Sequence, residues 1–327
     1  MTAATFDPVE SVVVSLPMTT RFRGITTREV LLVRGPAGWS EWGPFLDYTG
    51  DELVPWWQAC VAWATEPAPT PVRATVPVNC TIPAVGPERA YEMAQVSGCR
   101  TAKIKIAEPG QTEADDLARI EAVRDALGPD GRLRVDANAA WDVDEAERRL
   151  RRLAREDLEY VEQPCPEVTE LAELRRRLAR GGVDIAIAAD ESIRRSADPL
   201  RVAELEAADV AVLKVQPLGG VRACLELAER IGLPVVVSSA LETSVGLAAG
   251  VALAAALPDL PYACGLNTAA LFTADVATAP LLAVDGELPV GRVEPDLELI
   301  TTLTAPADRQ QFWRERLAAT RRLEGTT

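Results

Sequence analysis

The sequence predicts an α/β fold, a parallel β/α barrel carrying a smaller α+β cap. Three observations lead to it. From about residue 72, short β-branched runs recur roughly every 25 to 30 residues, each followed by an amphipathic stretch, which is the pattern of successive βα units. Residues 1–71 and the tail after about 280 break that alternation. The length of 327 residues exceeds the roughly 250 that a barrel takes alone, so one further small domain is expected.

In chain order, SVVVSLP (11–17), REVLLVRG (28–35) and GWSEWG (38–43) read as strands, and DELVPWWQACVAWA (51–64) as a helix. The proline-rich stretch TEPAPTPVR (65–73) is a linker, which sets the first boundary at residue 71. Eight barrel strands are expected at 75–80, 102–107, 132–138, 158–164, 184–192, 210–217, 234–242 and 263–268. Between them, Glu113–Leu127 places Leu117, Ile120, Val123 and Leu127 on one face and stops at Gly128-Pro129. Weaker helical patterns cover Asp144–Arg155, Glu170–Arg180, Pro199–Ala207 and Gly220–Arg230, and Val245 to Leu257 is alanine-rich and apolar. The tail, with a helix at 307–323, is expected to return to the first unit. The expected division is therefore 1–71 plus about 281–327 for the cap and 72–280 for the barrel.

Composition narrows the chemistry. A net charge of −15 argues against nucleic-acid or anionic-membrane partners, which need a cationic face, but not against a small anionic substrate. The N-terminus lacks a basic region before an apolar run, and the six cysteines show no C-x-x-C or zinc spacing, so a cytoplasmic protein with reduced thiols is expected. No histidine is present, which removes histidine bases, triads and metal ligands. Of 34 basic residues only three are lysine, Lys103, Lys105 and Lys214. Arginine cannot release its proton at usable pH, whereas lysine can be tuned to do so. Three chance survivors would scatter over exposed helix faces; all three instead fall on expected strands.

The active site of such a barrel lies at the C-terminal ends of its strands. Those ends carry Lys103 and Lys105, then Asp136, then Glu162, then Asp190 with Glu191, then Lys214. Lys103 and Lys105 share one side of their strand, and Ile104 and Ile106 suit the helix-facing side, which turns both lysines inward. Buried lysines need partners, and three bare carboxylates repel one another. A hard divalent cation resolves both problems, and an oxygen-only donor set suits Mg²⁺, with Mn²⁺ as a substitute.

The ordered set K-x-K (Lys103, Lys105), D-x-N (Asp136, Asn138), E-Q-P (Glu162-Gln163-Pro164), D-E-S (Asp190-Glu191-Ser192) and Lys214 resembles the enolase superfamily, specifically its muconate-lactonising-enzyme subgroup. The resemblance covers essentially the whole chain. It implies a modified TIM-type (β/α)7β barrel with a capping domain, with Asp136, Glu162 and Asp190 as metal ligands. It also implies that Lys105 and Lys214 face each other across the substrate, under cap loops at about 17–24 and 45–51.

Within the subgroup, SSALETSVG (238–246) is most similar to members that dehydrate 2-succinyl-6-hydroxy-2,4-cyclohexadiene-1-carboxylate in menaquinone biosynthesis. Gly265-Leu266-Asn267-Thr268 stands where dipeptide epimerases carry D-x-D, which argues against that branch. The expected substrate is thus a small anionic dicarboxylate and the expected intermediate an enediolate. Lys105 is the expected base, Lys103 its electrostatic neighbour and Lys214 the cation across the ring. Asn138 and Glu191 are expected to support the ligands, and Ser238, Ser239 and Leu241 to line the succinyl pocket. An N-acylamino-acid racemase using the same two lysines remains open. So do a metal-free aldolase with Lys214 as nucleophile and a non-catalytic scaffold. Monomer and small homo-oligomer are both compatible with the sequence.

Overall fold

The computed structural model describes residues 6–324. The β-branched runs of the N-terminal segment form a three-stranded antiparallel sheet, β1 (Glu10–Phe22), β2 (Ile25–Gly35) and β3 (Gly38–Trp42). Its alternation buries Val14, Leu16, Val30, Leu32 and Trp42. Helix α1 (Leu53–Thr65) covers that face with Trp56, Trp57, Cys60 and Ala64. A fully buried aliphatic or aromatic side chain of this kind contributes about 1.5–3 kcal/mol.

Strand β4 (Thr75–Pro77) follows the linker, and a parallel sheet then runs from β5 to β11. Its strands are β5 (Cys80–Ile82), β6 (Thr101–Lys105), β7 (Arg132–Asp136), β8 (Leu158–Glu162), β9 (Ile187–Ala189), β10 (Val210–Leu213) and β11 (Val235–Val237), hydrogen-bonded in sequence order. The intervening helices are α2 (Pro87–Val96), α3 (Glu113–Leu127), α4 (Val143–Leu153), α5 (Val168–Arg180), α6 (Glu191–Arg194), α7 (Arg201–Glu204) and α8 (Val221–Ile231), and α9 (Ser244–Ala256) follows β11. Thr112 and Asp115 close a capping box at the start of α3, which ends at Gly128 with φ 72°.

Alternation along the curled sheet separates two apolar layers. Ile104, Val135, Val161, Leu213 and Val237 join the core beneath the helices. Tyr160, Ala188, Val210, Val212 and Val236 cluster on the opposite, inner face. Buried Arg134 sits on that face, donating to Ala263 O at 2.6 Å and, at 3.3 Å, to Asn79 Oδ1 and Tyr160 Oη.

Three elements differ from expectation. The first expected barrel strand divides in two. Pro77 has no N–H to give a parallel ladder, and Thr75–Pro77 pairs antiparallel with β12 (Glu287–Pro289) instead. The barrel strand starts at Cys80 and stops before Pro83. The helix expected over 199–207 shortens to the four residues of α7. The segment at 263–268 forms isolated bridges rather than a continuous strand: Cys264 pairs with Val78 and Gly265 with Ser238.

Helices α10 (Leu297–Leu303) and α11 (Ala307–Glu324) pack on the first sheet. Gln310 exchanges two hydrogen bonds with the Val13 backbone, and Trp313 meets Trp42 edge-on at 5.6 Å. No helix among the described residues is long and apolar enough to cross a membrane.

Candidate active site

Strand register assembles the site. Lys105 pairs with Asp136, and Asp136 with Glu162, so three charged side chains end adjacent strands at one level of the inner face. Lys103 lies one inward position below, opposite Thr81 and Arg134. Asp190 follows β9 directly and Lys214 follows β10. Beyond Asp136 and Glu162 the chain turns sharply, with Asn138 (φ 46°), Ala139 (62°) and Gln163 (38°) in the left-handed region. That conformation costs a non-glycine residue about 1–2 kcal/mol, and hydrogen bonds hold it: Ala139 N donates to Gln163 O at 2.7 Å and Gln163 N to Ala188 O at 2.8 Å.

Every expected charged residue is brought into one network. Lys103 Nζ bridges two carboxylates, 2.8 Å from both Glu162 oxygens and 3.4 Å from Asp136 Oδ2. Lys105 Nζ donates to Asp136 Oδ2 at 2.5 Å and to Asn138 Oδ1 at 2.7 Å. Lys214 Nζ lies 2.6 Å from Asp190 Oδ2. Asn138 Nδ2 reaches Glu191 Oε1 at 3.4 Å.

Burial raises the carboxyl of Glu162, and the charges of Asp136 and Asp190 add to it. Burial acts the same way on Asp136 and Asp190 but is outweighed, by Lys105 and Lys103 for the first and by Arg194 and Lys214 for the second. Burial lowers Lys103 less than Glu162 and Asp136 raise it, whereas for Lys214 burial prevails and the ammonium is depressed.

The donor set of the three carboxylates is all hard oxygen, the type that holds Mg²⁺, and the mutual repulsion at Glu162 favours a cation. Among the described residues no group of three or more Asp, Glu, Cys or His side chains is gathered as a chelating cluster, and lysine ammoniums pair with these carboxylates instead. A metal would take over that charge compensation and release the lysines.

The three lysines line a chamber of about 30 Å³ with Ser238, Ser239 and Leu241. Gly265 lets two segments approach here, since a Cβ would sit 2.6 Å from Ser238 Oγ. Ser239 Oγ lies 2.7 Å from Thr268 Oγ1. The chamber adjoins a vestibule of about 1260 Å³ that Lys105, Asn138 and Glu191 also border.

Several residues went unanticipated. Phe22, Arg23 and Phe45 of the first unit close the chamber, with the Arg23 guanidinium 4.3 Å from the Phe45 ring centre. Buried Arg194 donates to Asp190 Oδ1 at 2.9 Å, to Glu191 Oε1 at 2.6 Å and to the Tyr48 hydroxyl. One arginine in an arginine-rich chain gives no sequence signal. Gln163 lay inside the E-Q-P motif, where its amide could have been suspected.

Residues 87–295 match the family model described as "Enolase C-terminal domain-like", and residues 13–64 match "Enolase N-terminal domain-like". The chain is 62% identical over 308 residues to a protein of Thermobifida fusca named o-succinylbenzoate synthase, with 94% of each chain covered. It is 51% identical over 309 residues to a protein of the same name from Mycolicibacterium smegmatis, again with 94% of each covered. Its fold is similar to a muconate lactonizing enzyme from Pseudomonas fluorescens, with a TM-score of 0.76 at 22% identity over 90% of this chain and 98% of that one.

Proposed function

The chain belongs to the enolase superfamily, and on that premise we propose that it dehydrates 2-succinyl-6-hydroxy-2,4-cyclohexadiene-1-carboxylate to o-succinylbenzoate, a carbon–oxygen lyase reaction of menaquinone biosynthesis. One observation carries the reading. Three lysines, each hydrogen-bonded to one of the three carboxylates, line one chamber, in a chain 62% identical over 94% of its length to a relative bearing that activity's name.

Asp136, Glu162 and Asp190 are the proposed ligands of a divalent metal, Mg²⁺ with Mn²⁺ as a substitute. When bound, such a cation stabilises the negative charge that gathers on the ring carboxylate. Lys105 takes the proton from the carbon bearing that carboxylate. The electron pair forms the enediolate, then expels the hydroxyl from the neighbouring carbon, which leaves as water with the proton Lys105 had taken. Lys214 stays across the ring as the cation facing the enediolate. Lys103 contacts the ring carboxylate beside Lys105. Ser238, Ser239 and Leu241 form the wall for the succinyl arm, while Asn138 and Glu191 hold Lys105 and Arg194 in place.

The sheet is read as a (β/α)7β barrel, with 263–265 as the closing segment. In support, Gly265 N donates to Val237 O at 2.8 Å on one edge strand, and Cys264 O accepts from Asn79 N at 2.9 Å directly before the other. Residues 1–71 with about 281–327 are read as the cap, and 72–280 as the barrel. Six buried free thiols suit a reducing cytoplasm.

Loss of the diene absorbance on adding purified protein, with and without Mg²⁺, tests the reaction. Loss only with the metal supports it. Exchange of the α-proton of an N-succinylamino acid without any dehydration would replace it by a racemase.

A further inference from the structure

Three ionisable side chains lie buried between the first sheet and the turn at 240–243, and the proposed chemistry uses none of them. Arg28 on β2 donates from Nε to Leu241 O at 3.1 Å, and from Nη2 to Ala240 O at 3.3 Å and to Gly43 O. Glu41 on β3 accepts at Oε2 from Thr243 N at 2.9 Å and Thr243 Oγ1 at 2.6 Å. Glu242 Oε2 takes the Ala240 amide at 2.6 Å. Two strands of the sheet thus hold the turn's backbone at Ala240, Leu241 and Thr243. Between those grips Leu241 is left-handed, φ 63°, and it lines the chamber beside Lys214 and Ser239.

The space is shaped for this carboxyl group. A Cβ at Gly246 would come within 2.8 Å of Glu41 Oε2, and one at Gly43 within 3.1 Å of Oε1 and 2.9 Å of Arg28 Nη2. Glu41 is 2% exposed, and its Oε1 has no hydrogen-bond partner among the described residues.

We propose that Glu41, assisted by Arg28, is a positioning residue for the substrate wall: it anchors Thr243 and so sets where Leu241 stands in the chamber.

The neutrality of Glu41 follows from its surroundings. An ionised carboxylate with one oxygen lacking any donor is strongly disfavoured in a buried site. Arg28 could offset the charge, but its Nε and Nη2 hydrogen bonds go to carbonyls. The groups facing Glu41 are Arg28 from β2, Glu242 from the turn and Cys60 from α1; Lys214 lies beyond Glu242. Burial, reinforced by Glu242, pushes the Glu41 carboxyl up to about 8. Above that pH Glu41 and Glu242 would adjoin as two like charges in a buried interface, forcing the sheet and the turn apart and loosening the wall.

The consequence for turnover rests on the dehydration reading above, so the test has two arms. In the first, kcat and KM for the hydroxycyclohexadiene substrate are followed from about pH 6.5 to 9.5 in the wild type and Glu41→Gln. The expected result is a wild-type KM rising about tenfold between pH 7 and 9 with kcat per bound substrate held, and a level KM in Glu41→Gln, whose side chain cannot ionise. In the second, hydrogen exchange of the 238–246 segment, corrected for intrinsic rates, is measured over the same range without substrate. Protection is expected to fall with alkaline pH in the wild type but not in Glu41→Gln. If Glu41→Gln does not fold, Thr243→Val, which removes only the hydroxyl bond, should raise KM and lower protection at neutral pH. Coincident wild-type and Glu41→Gln profiles in the exchange arm overturn the proposal. A wild type that dehydrates nothing while its exchange responds to pH would instead overturn the reaction reading alone.

Discussion

The side-chain oxygen of Gln163 accepts the Asp190 amide at 2.9 Å, tying the end of β8 to the end of β9. The same oxygen takes Ser192 N at 3.2 Å, while Nε2 donates to Ser192 Oγ at 2.7 Å and Cys165 O at 2.9 Å. All the hydrogen-bonding capacity of the amide is used, and it spans two neighbouring proposed metal ligands, Glu162 and Asp190. Gln163→Leu strands these groups without partners, at a cost of about 1–3 kcal/mol for each one left buried. Calorimetric titration should show Mg²⁺ affinity falling by roughly 10- to 100-fold, as for other lost ligand supports. Wild-type affinity in the variant would remove Gln163 from that role.

The lysines should separate by function. Lys105→Ala and Lys214→Ala are each expected to lower kcat by about 10³-fold or more, with Mg²⁺ binding retained. Lys105→Arg should be equally inactive, because arginine can keep a charge beside Asp136 but cannot take a proton. Single-turnover loss of the diene measures this, and activity in Lys105→Arg rules out Lys105 as the base. Lys103→Ala should fail differently. Among the described residues Lys103 alone bonds the Glu162 oxygens, so its loss leaves an uncompensated buried carboxylate and about 3–5 kcal/mol of destabilisation, visible in denaturant melts without metal. Asp190, by contrast, keeps Arg194 when Lys214 is removed.

Why the charged set was legible and other parts were not has a physical basis. Lys103, Lys105, Asp136 and Glu162 interrupt apolar strands at inward positions, and an inward charge has few structural uses. The α3 boundaries were equally plain, because Thr112 and Gly128 are strong end signals. Pro77 broke the first barrel strand in a way visible only once β12 arrived from more than 200 residues away. Phe22, Arg23 and Phe45 reach the chamber from the first unit, and nothing in their local pattern says which face of the molecule a turn will meet. Arg194 and Glu41 are hidden for a related reason: each is defined by a partner distant in sequence, Tyr48 for one and Thr243 for the other.

Arg23 offers a test of substrate orientation. The three lysines of the chamber are engaged by carboxylates, whereas Arg23 lines the same space with its guanidinium over Phe45. It is the group suited to take the succinyl carboxylate, which an arginine fork can bind in two-point fashion. Arg23→Ala should raise KM about 10- to 100-fold, the equivalent of losing roughly 1.5–3 kcal/mol of charged hydrogen bonding, with little change in kcat. Arg23→Lys should fall between. Because Arg23 is exposed, melting temperature should stay put; a KM unchanged by either substitution would place the succinyl end elsewhere.

The ion pair between Glu29 and Arg309 predicts how the C-terminal helix responds to acid. Glu29 on β2 accepts from Arg309 Nη2 at 2.6 Å and Nε at 2.9 Å, and from Trp313 Nε1 at 2.9 Å, joining the first sheet to α11. Burial raises this carboxyl, but the bonds from Arg309 and Trp313 outweigh it and hold it below its ordinary 4.5. The folded state therefore binds fewer protons than the unfolded chain between the depressed value and 4.5. The pair's contribution is complete above about pH 4.5 and is lost as pH falls through the folded value. Solvent reaches the pair, so salt should weaken it as well. Urea midpoints should place Glu29→Gln below the wild type at pH 7, with the gap narrowing in acid or at high ionic strength. A gap constant in both would mean that Glu29 acts here by shape and hydrogen bonding rather than by charge.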